Sequence, residues 1–131
     1  MDPSMFVNMI IRPPRAEYNE ASISKSLDLD GKTYKYESFE INNPKGEKLS
    51  CTMFEPSTDA DRSGDEMPCV IYMHGNASNK TEGLQYAPLL ASHGLNLCTF
   101  DFSGCGKSQG NWVTLGHKEQ DDLKVVIEYL Y

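Results

Sequence analysis

The order of polar and apolar positions predicts an antiparallel hairpin in the first half of the chain. Residues 34–41 alternate in character, as expected for a strand with one buried face. The segment 42–46 follows and is rich in turn-forming residues, with the sequence NNPKG. Because a second apolar stretch, residues 49–54, comes directly after this turn, we expect 34–54 to fold as a hairpin.

Two continuous apolar runs, residues 68–73 and 95–100, predict strands that are buried on both faces of a parallel sheet. Roughly twenty residues separate the runs, which is enough for a crossover helix. We expect Gly94 to cap the end of that helix, and Pro88 requires the helix either to begin after Leu84 or to kink. The apolar stripe that would face the sheet consists of Leu84, Ala87, Leu90 and Ala91.

The end of the chain predicts a second helix with one apolar face. Its apolar positions follow the spacing i, i+3, i+4, i+7 of a helix that packs on one side. Acidic side chains precede them, where the partial positive charge of a helix start stabilises carboxylates. The apolar residues are Leu123, Val126, Ile127 and Leu130, and the acidic ones are Glu119, Asp121 and Asp122.

Residues 1–33 lack a clear period, and we expect them to form an irregular arm. The residues that interrupt any helical or strand pattern there are Pro3, Pro13, Pro14 and Gly31. The predicted fold class is therefore α/β. An arm over 1–33 would precede a hairpin followed by β-α-β-α over 34–131, in a mostly parallel sheet.

Length and charge limit the classes of function. At 131 residues the chain has room for one domain with a modest core. A formal net charge of −7 argues against a nucleic-acid partner, which requires a basic surface. The apolar run 5–11 contains Asn8 and is far shorter than the roughly 20 residues of a membrane span. No basic segment precedes it, so we expect no signal peptide.

The cysteines indicate neither a metal centre nor a disulfide framework. None of the four has the C-x-x-C spacing of a zinc or redox site, and the histidines do not complete one. The cysteines are Cys51, Cys69, Cys98 and Cys105. We expect a reducing, cytoplasmic compartment, and the sequence implies neither a metal nor a cofactor.

The sequence His74-Gly75-Asn76 stands at the carboxyl end of the first buried strand, where open α/β sheets bind their ligands. In an acyl-transfer enzyme such a loop directs a backbone N–H at the developing oxyanion. A plain connection between strand and helix is the alternative. We interpret His74 as a residue that holds the loop by hydrogen bonding rather than as a base.

The segment 106–110, with the sequence GKSQG, matches the G-x-S-x-G pattern of a nucleophilic serine. Such a serine sits on a tight turn directly between a strand and a helix. Here the predicted strand ends too early, and residues 111–116 do not read as a helix. His117 and the acidic residues after it share one short helix, which cannot return them to Ser108. We therefore expect Ser108 to be a decoy.

The same loop also approaches two phosphate-binding patterns. A Walker A sequence ending at Lys107 and Ser108 would need glycine in place of Asp101, and a dinucleotide fingerprint would need glycine in place of Gln109. An aspartate at the mouth of the loop repels phosphate, and no helix follows immediately. A nucleotide-binding α/β domain remains a less favoured alternative.

Three segments together resemble one branch of a known family. Residues 72–76, 86–91 and 101–110 have the sequences YMHGN, YAPLLA and DFSGCGKSQG. They are similar to the serine-aminopeptidase-like (S33) branch of the α/β hydrolases, which also contains esterase-like, monoacylglycerol-lipase-like and protein-depalmitoylase-like members. The likeness runs over residues 34–131.

The resemblance implies a role for one residue in the loop after the first buried strand. In the family, the residue after His-Gly donates one backbone N–H to the oxyanion, which implies this role for Asn76, with His74 and Gly75 shaping the loop. The second donor follows the nucleophile and has no counterpart here. The nucleophile, the acid and the histidine lie further along in the family, so none of them can be assigned to a residue of this chain.

We therefore expect the N-terminal half of an α/β-hydrolase fold, ending before the nucleophile strand and inactive by itself. The intact relative would cleave an ester, thioester or amide of a small-molecule or acyl substrate through an acyl-enzyme. A catalytically inactive interaction module is the alternative. In that case a partner chain would cover the hydrogen-bonding edge of the strand at residues 70–73.

Overall fold

A mixed five-stranded sheet with helices on both faces organises the chain. The computed structural model describes residues 2–131. The strands are β1 (Ser26–Leu29), β2 (Lys32–Asn42), β3 (Lys48–Pro56), β4 (Cys69–Met73) and β5 (Asn96–Phe100), in the spatial order β1-β2-β3-β5-β4. The helices are α1 (Pro3–Ile11), α2 (Thr81–Leu84), α3 (Ala87–Ser92) and α4 (Glu119–Leu130), with single 3₁₀ turns at Glu20–Ser22 and Asp59–Asp61.

The predicted hairpin and the predicted parallel pair are both confirmed. Strands β2 and β3 pair antiparallel, and the Asn43 side chain closes their turn by accepting hydrogen bonds from the amides of Lys45 and Glu47, each at 3.0 Å. Strands β4 and β5 run parallel, with Val70 opposite Leu97.

Strand β4 differs from its prediction as a strand buried on both faces. It is the last strand at one side of the sheet, so its outer edge has no neighbouring strand among residues 2–131. Val70 is 36% exposed and Met73 is 50% exposed. In contrast, every residue of β5 is buried, because β5 lies between β3 and β4. A continuous apolar run predicted the strand correctly but not its place in the sheet.

Alternation along the strands builds one core on each face of the sheet. Leu97 of β5 points to the face covered by α3, whereas Cys98 and Phe100 point to the face covered by α4. The first core consists of Tyr34, Phe54, Ala87, Ala91 and Leu97. The second consists of Leu49, Cys51, Cys98, Phe100 and Val126.

The crossover between β4 and β5 contains two short helices rather than one. Pro88 stands in the first turn of α3, where its missing N–H has no helical partner to lose. Gly94 follows α3 with φ +71° and donates to the carbonyl of Ala91, while the Leu95 amide donates to the carbonyl of Leu90. This pair of bonds is a Schellman cap, which confirms the role predicted for Gly94.

Helix α4 begins and ends close to its prediction. Leu123, Val126 and Leu130 contribute to the second core, as expected, and Val125 joins them. Ile127 was also expected in this stripe but is exposed. No helix among residues 2–131 is long and apolar enough to cross a membrane.

The expectation of an irregular arm over residues 1–33 is wrong for much of its length. Asp2 caps α1 by accepting a hydrogen bond from the Ser4 amide, and Pro3 occupies the first turn. Further on, β1 pairs with β2 through a turn at Asp30 and Gly31, which have φ values of +50° and +77°. Both values suit a two-residue hairpin turn, for which Asp-Gly is a strong sequence signal.

Candidate functional site

The imidazole of His74 joins the loops that follow β4 and β5. Its Nδ1 lies 2.7 Å from the carbonyl oxygen of Gly75, and the amide of Phe102 donates to its Nε2 over 3.1 Å. Because an amide N–H requires an acceptor, Nε2 carries no proton and Nδ1 donates. Both ring nitrogens are therefore engaged in hydrogen bonds.

Glu82, in α2, holds the other side of the loop after β4. Its carboxylate accepts hydrogen bonds from the Gly75 amide at 2.9 Å and from the Tyr72 hydroxyl at 3.0 Å. The bond from Gly75 lowers the pKa of Glu82, and desolvation opposes this effect only partly. The sequence analysis did not identify Glu82, whose position in the first turn of a helix was the available signal.

These contacts leave the amide of Asn76 at the mouth of a cleft. Within residues 2–131, no group accepts a hydrogen bond from the Asn76 N–H. Ala77 then turns the backbone with φ +56°, a left-handed conformation that costs a non-glycine residue about 1 kcal/mol. Such strain occurs preferentially at functional sites. The cleft has a volume of about 230 Å³.

The opposite wall of the cleft comes from the segment between β5 and α4. It contributes Cys105, Val113 and Leu115, and Glu119 at the start of α4 completes the wall. Burial raises the pKa of the Cys105 thiol to about 11, so this sulfur is protonated at neutral pH and is a poor nucleophile. Desolvation opposes ionisation of Glu119, but hydrogen bonds from Thr114 and Gly116 lower its pKa. The cleft is therefore mostly apolar, with its one carboxylate already hydrogen-bonded.

Ser108 lies outside the cleft and is buried. Its Oγ donates to the carbonyl of Asp101 over 2.6 Å and accepts from the Ser50 amide over 2.9 Å. No histidine among residues 2–131 is hydrogen-bonded to this hydroxyl. The serine thus links the loop after β5 to β3, and its oxygen does not point toward a substrate site.

The carboxylate of Asp101 fills the interior of the glycine-rich loop at residues 104–110. It accepts hydrogen bonds from the amide of Lys80 at 2.6 Å, the amide of Lys107 at 3.0 Å and the hydroxyl of Tyr18 at 2.5 Å. A Cβ at Gly106 would lie 2.4 Å from this carboxyl group. In a phosphate-binding loop, backbone N–H groups bind the ligand. Here the carboxylate of Asp101 engages such N–H groups instead.

Three residues of the N-terminal segment between α1 and β1 (residues 12–25) hold the loop after β5 in place. The sequence analysis missed all three. Arg15 donates to the carbonyl oxygens of Gly106 at 3.2 Å, Ser108 at 2.6 Å and Gly110. The other two are Tyr18 and Glu20. Burial and the bond to Asp101 raise the pKa of Tyr18, so its phenol stays protonated as a donor.

Lys80 is fully buried and is neutralised by Glu20. Its Nζ donates to the Glu20 carboxylate, to Ser50 Oγ at 2.9 Å and to the Cys51 carbonyl at 3.3 Å. Desolvation opposes ionisation of Glu20, but the bond and charge of Lys80 lower its pKa. A buried ammonium requires such compensation, so residue 20 is fixed to the sheet.

The fold is similar to that of several enzymes of known structure. An esterase of Pyrococcus furiosus aligns over 92% of this chain and 42% of its own, with 28% sequence identity and a TM-score of 0.66. The chain therefore spans less than half the length of that esterase. No protein-family model matches the chain, and no curated protein matches it.

More distant neighbours share the fold. The thioesterase domain from the curacin biosynthetic pathway aligns over 73% of this chain and 33% of its own, with 18% identity and a TM-score of 0.55. Brefeldin A esterase, a bacterial homologue of human hormone sensitive lipase, aligns over 83% and 30%, with 18% identity and a TM-score of 0.53. Residues 2–131 therefore adopt part of the α/β-hydrolase fold.

Proposed function

We propose that this chain supplies the oxyanion-binding side of a serine-hydrolase site that cleaves esters, thioesters or amides. The observation that carries the proposal is the unengaged Asn76 N–H at the mouth of an apolar cleft. His74 and Glu82 engage the carbonyl and the amide of Gly75, the residue directly before Asn76. The likeness to the Pyrococcus esterase supports the same class of reaction.

The chemical role of Asn76 follows from the charge that develops during acyl transfer. When a nucleophile attacks the substrate carbonyl, its oxygen becomes an oxyanion, and a fixed N–H stabilises that charge by about 3 kcal/mol. A low-polarity wall beside the donor strengthens this interaction and accommodates the acyl group. We assign the chain to the S33-like branch, acting in the cytoplasm on small-molecule or acyl substrates.

We further propose that the 131-residue chain does not turn over substrate by itself. Acyl-enzyme formation requires a nucleophile activated by a histidine, and the Ser108 hydroxyl is hydrogen-bonded to Asp101 and Ser50 instead. The nucleophile, acid and histidine would come from residues outside 2–131. One oxyanion donor without them cannot form an acyl-enzyme.

The outer edge of β4 favours a second role for the same chain, as an interaction module. A strand edge without a neighbour offers backbone donors and acceptors to another strand. A partner chain that pairs with residues 70–73 would cover Val70 and Met73. Isolation of the chain in a stable complex, with amide exchange slowed along β4, supports this role.

Two measurements on the purified chain test the hydrolase proposal. Titration with butyrate, which carries an acyl tail and an anionic head, is expected to shift the Asn76 amide resonance most strongly, and acetate should bind more weakly. Hydrolysis of an aryl ester should stay at the buffer rate. Turnover that is lost in Ser108→Ala contradicts our assignment of Ser108. A shift confined to residues 104–110 on addition of ADP would favour nucleotide binding instead.

A further inference from the structure

Helix α1 exposes nearly all of its apolar side chains. Met5, Phe6, Val7, Met9 and Ile10 are each between 51% and 67% exposed, and no residue of the helix is buried. Single exposed apolar residues are ordinary on a protein surface, but five in one short helix form a continuous patch.

The apolar residues cover most of the circumference of α1. At about 100° per residue, the six positions from Met5 to Ile11 other than Asn8 span an arc of about 240°. The narrow polar arc that remains holds Ser4 and Asn8, and Arg12 continues it at the end of the helix. A partner protein that packs along one side of α1 would leave much of this arc in water. The acyl chains of a bilayer, by contrast, can contact the whole apolar arc.

Helix α1 is attached beside the cleft rather than at a distance from it. The amide of Val113, in the cleft wall, donates to the carbonyl of Ile11 over 2.6 Å. The guanidinium of Arg12 lies 5.9 Å from the centre of the Trp112 ring. Trp112 and Leu115 are themselves 39% and 65% exposed, so the apolar surface continues from α1 to the rim of the cleft.

The end of α1 nearest the cleft is basic, whereas Asp2 caps the opposite end. Residues 3–16 contain Arg12 and Arg15 and no acidic residue, whereas the chain carries a formal charge of −7. Basic side chains beside an apolar helix complement the phosphates of an anionic bilayer surface. A nine-residue helix is about 14 Å long, which is too short to span a bilayer.

We propose that α1, together with Trp112 and Leu115, is a lipid-binding surface that inserts into the interface of an anionic bilayer. Inserted in this way, α1 lies parallel to the bilayer surface with its apolar arc against the acyl chains, Arg12 contacts lipid phosphate, and the cleft opens toward the membrane. The proposal does not depend on hydrolysis, because it concerns only where the chain binds.

Vesicle sedimentation with two matched variants tests the proposal. The double substitution Phe6→Asp with Ile10→Asp charges the middle of the apolar arc, and Ser4→Asp with Asn8→Asp places the same two charges on the polar arc. With vesicles of equal parts phosphatidylcholine and phosphatidylserine, the first variant should bind at least about tenfold more weakly than the second. Thermal unfolding should be similar for both variants, because neither pair of side chains is buried.

The single tryptophan provides an independent signal. Emission from Trp112 should shift to shorter wavelength when the wild-type chain binds these vesicles, and Arg12→Gln should weaken binding to them more than to phosphatidylcholine alone. Failure of the wild-type chain to sediment, or equal binding of the two double variants, overturns the proposal. Self-association without vesicle binding, abolished only by the apolar-arc variant, would assign the surface to a second copy of this chain.

Discussion

The amide of Phe102, just after β5, donates to Nε2 of His74, just after β4, over a distance of 3.1 Å. One imidazole therefore fixes the relative position of the two loops that form the cleft. The ring also packs edge-on against the Phe102 ring, with centroids 5.1 Å apart. A donor, an acceptor and an aromatic contact in one side chain make His74 difficult to replace.

We predict that His74→Ala destabilises the chain by about 1–3 kcal/mol, because the Phe102 amide loses its acceptor in a partly buried position. Urea unfolding followed by circular dichroism measures this change. The matched control is His93→Ala, since His93 is exposed and bonds only within α3 and its end. Similar losses in the two variants would contradict the linking role of His74.

Removal of the charge on Glu20 should destabilise the fold strongly, although the Glu20 side chain is partly exposed. Glu20→Gln leaves the buried Lys80 ammonium without its counterion, at an expected cost of about 3 kcal/mol in the free energy of unfolding. Combining it with Lys80→Met should restore most of the loss, because the charge that required compensation is then gone. Glu17→Gln, at an exposed position nearby, serves as the control in the same denaturation assay.

A methyl group at position 106 should disrupt the loop after β5. Gly106→Ala places Cβ against the Asp101 carboxyl group, whereas Gly46→Ala, which also has a positive φ, meets nothing within 4 Å. Both variants incur the backbone strain of about 1 kcal/mol, and only the first adds a steric clash. We expect Gly106→Ala to lose about 1–3 kcal/mol more than Gly46→Ala in thermal or urea unfolding.

Stability should fall as the solution is acidified. The pKa values of Glu20, Glu82 and Glu119 are lowered in the folded chain, so the unfolded chain binds protons first. The resulting stability is fully present above the unfolded glutamate pKa of about 4.3 and is lost as the pH falls through the lower folded values.

Glu119→Gln isolates one contribution to this pH dependence. The variant should show a smaller loss of urea midpoint between neutral pH and the acidic range than the wild-type chain does. Glu128→Gln, on the exposed side of α4, serves as the matched control in the same assay. An equal slope in Glu119→Gln and wild type would exclude Glu119 as a source.

Local periodicity predicted strands β2 to β5 and the cap at Gly94 because those features depend on neighbouring residues. Alternation along 34–41 and the apolar runs ending at Met73 and Phe100 gave the strands, and Gly94 gave the end of α3. Position within the sheet is not local, so the exposure of Val70 and Met73 was missed, although the free hydrogen-bonding edge at residues 70–73 was expected. The Asp30-Gly31 turn was a local signal, but it was overlooked because the first 33 residues show no clear period.

The residues that hold the candidate site could not be predicted in the same way. Arg15, Tyr18 and Glu20 lie in a segment with no period, and each acts on a partner at least 60 residues away. The role of Asn76 was implied by the resemblance to the α/β hydrolases and stays a prediction. The hydrogen bond from the Gly75 amide to Glu82 depends on how α2 packs beside Tyr72, which the sequence pattern does not reveal.

The contact between Glu20 and Lys80 has a consequence for the order in which the chain folds. The two residues are 60 positions apart, and Tyr18 and Asp101 are 83 apart, so both contacts close long loops. Long loops close late because their entropy cost must first be offset by contacts formed elsewhere. We therefore expect the N-terminal segment to dock onto a sheet that has already formed. Substitutions at Tyr18 or Glu20 should then speed unfolding far more than they slow refolding, which makes this segment the main determinant of how long the native chain persists.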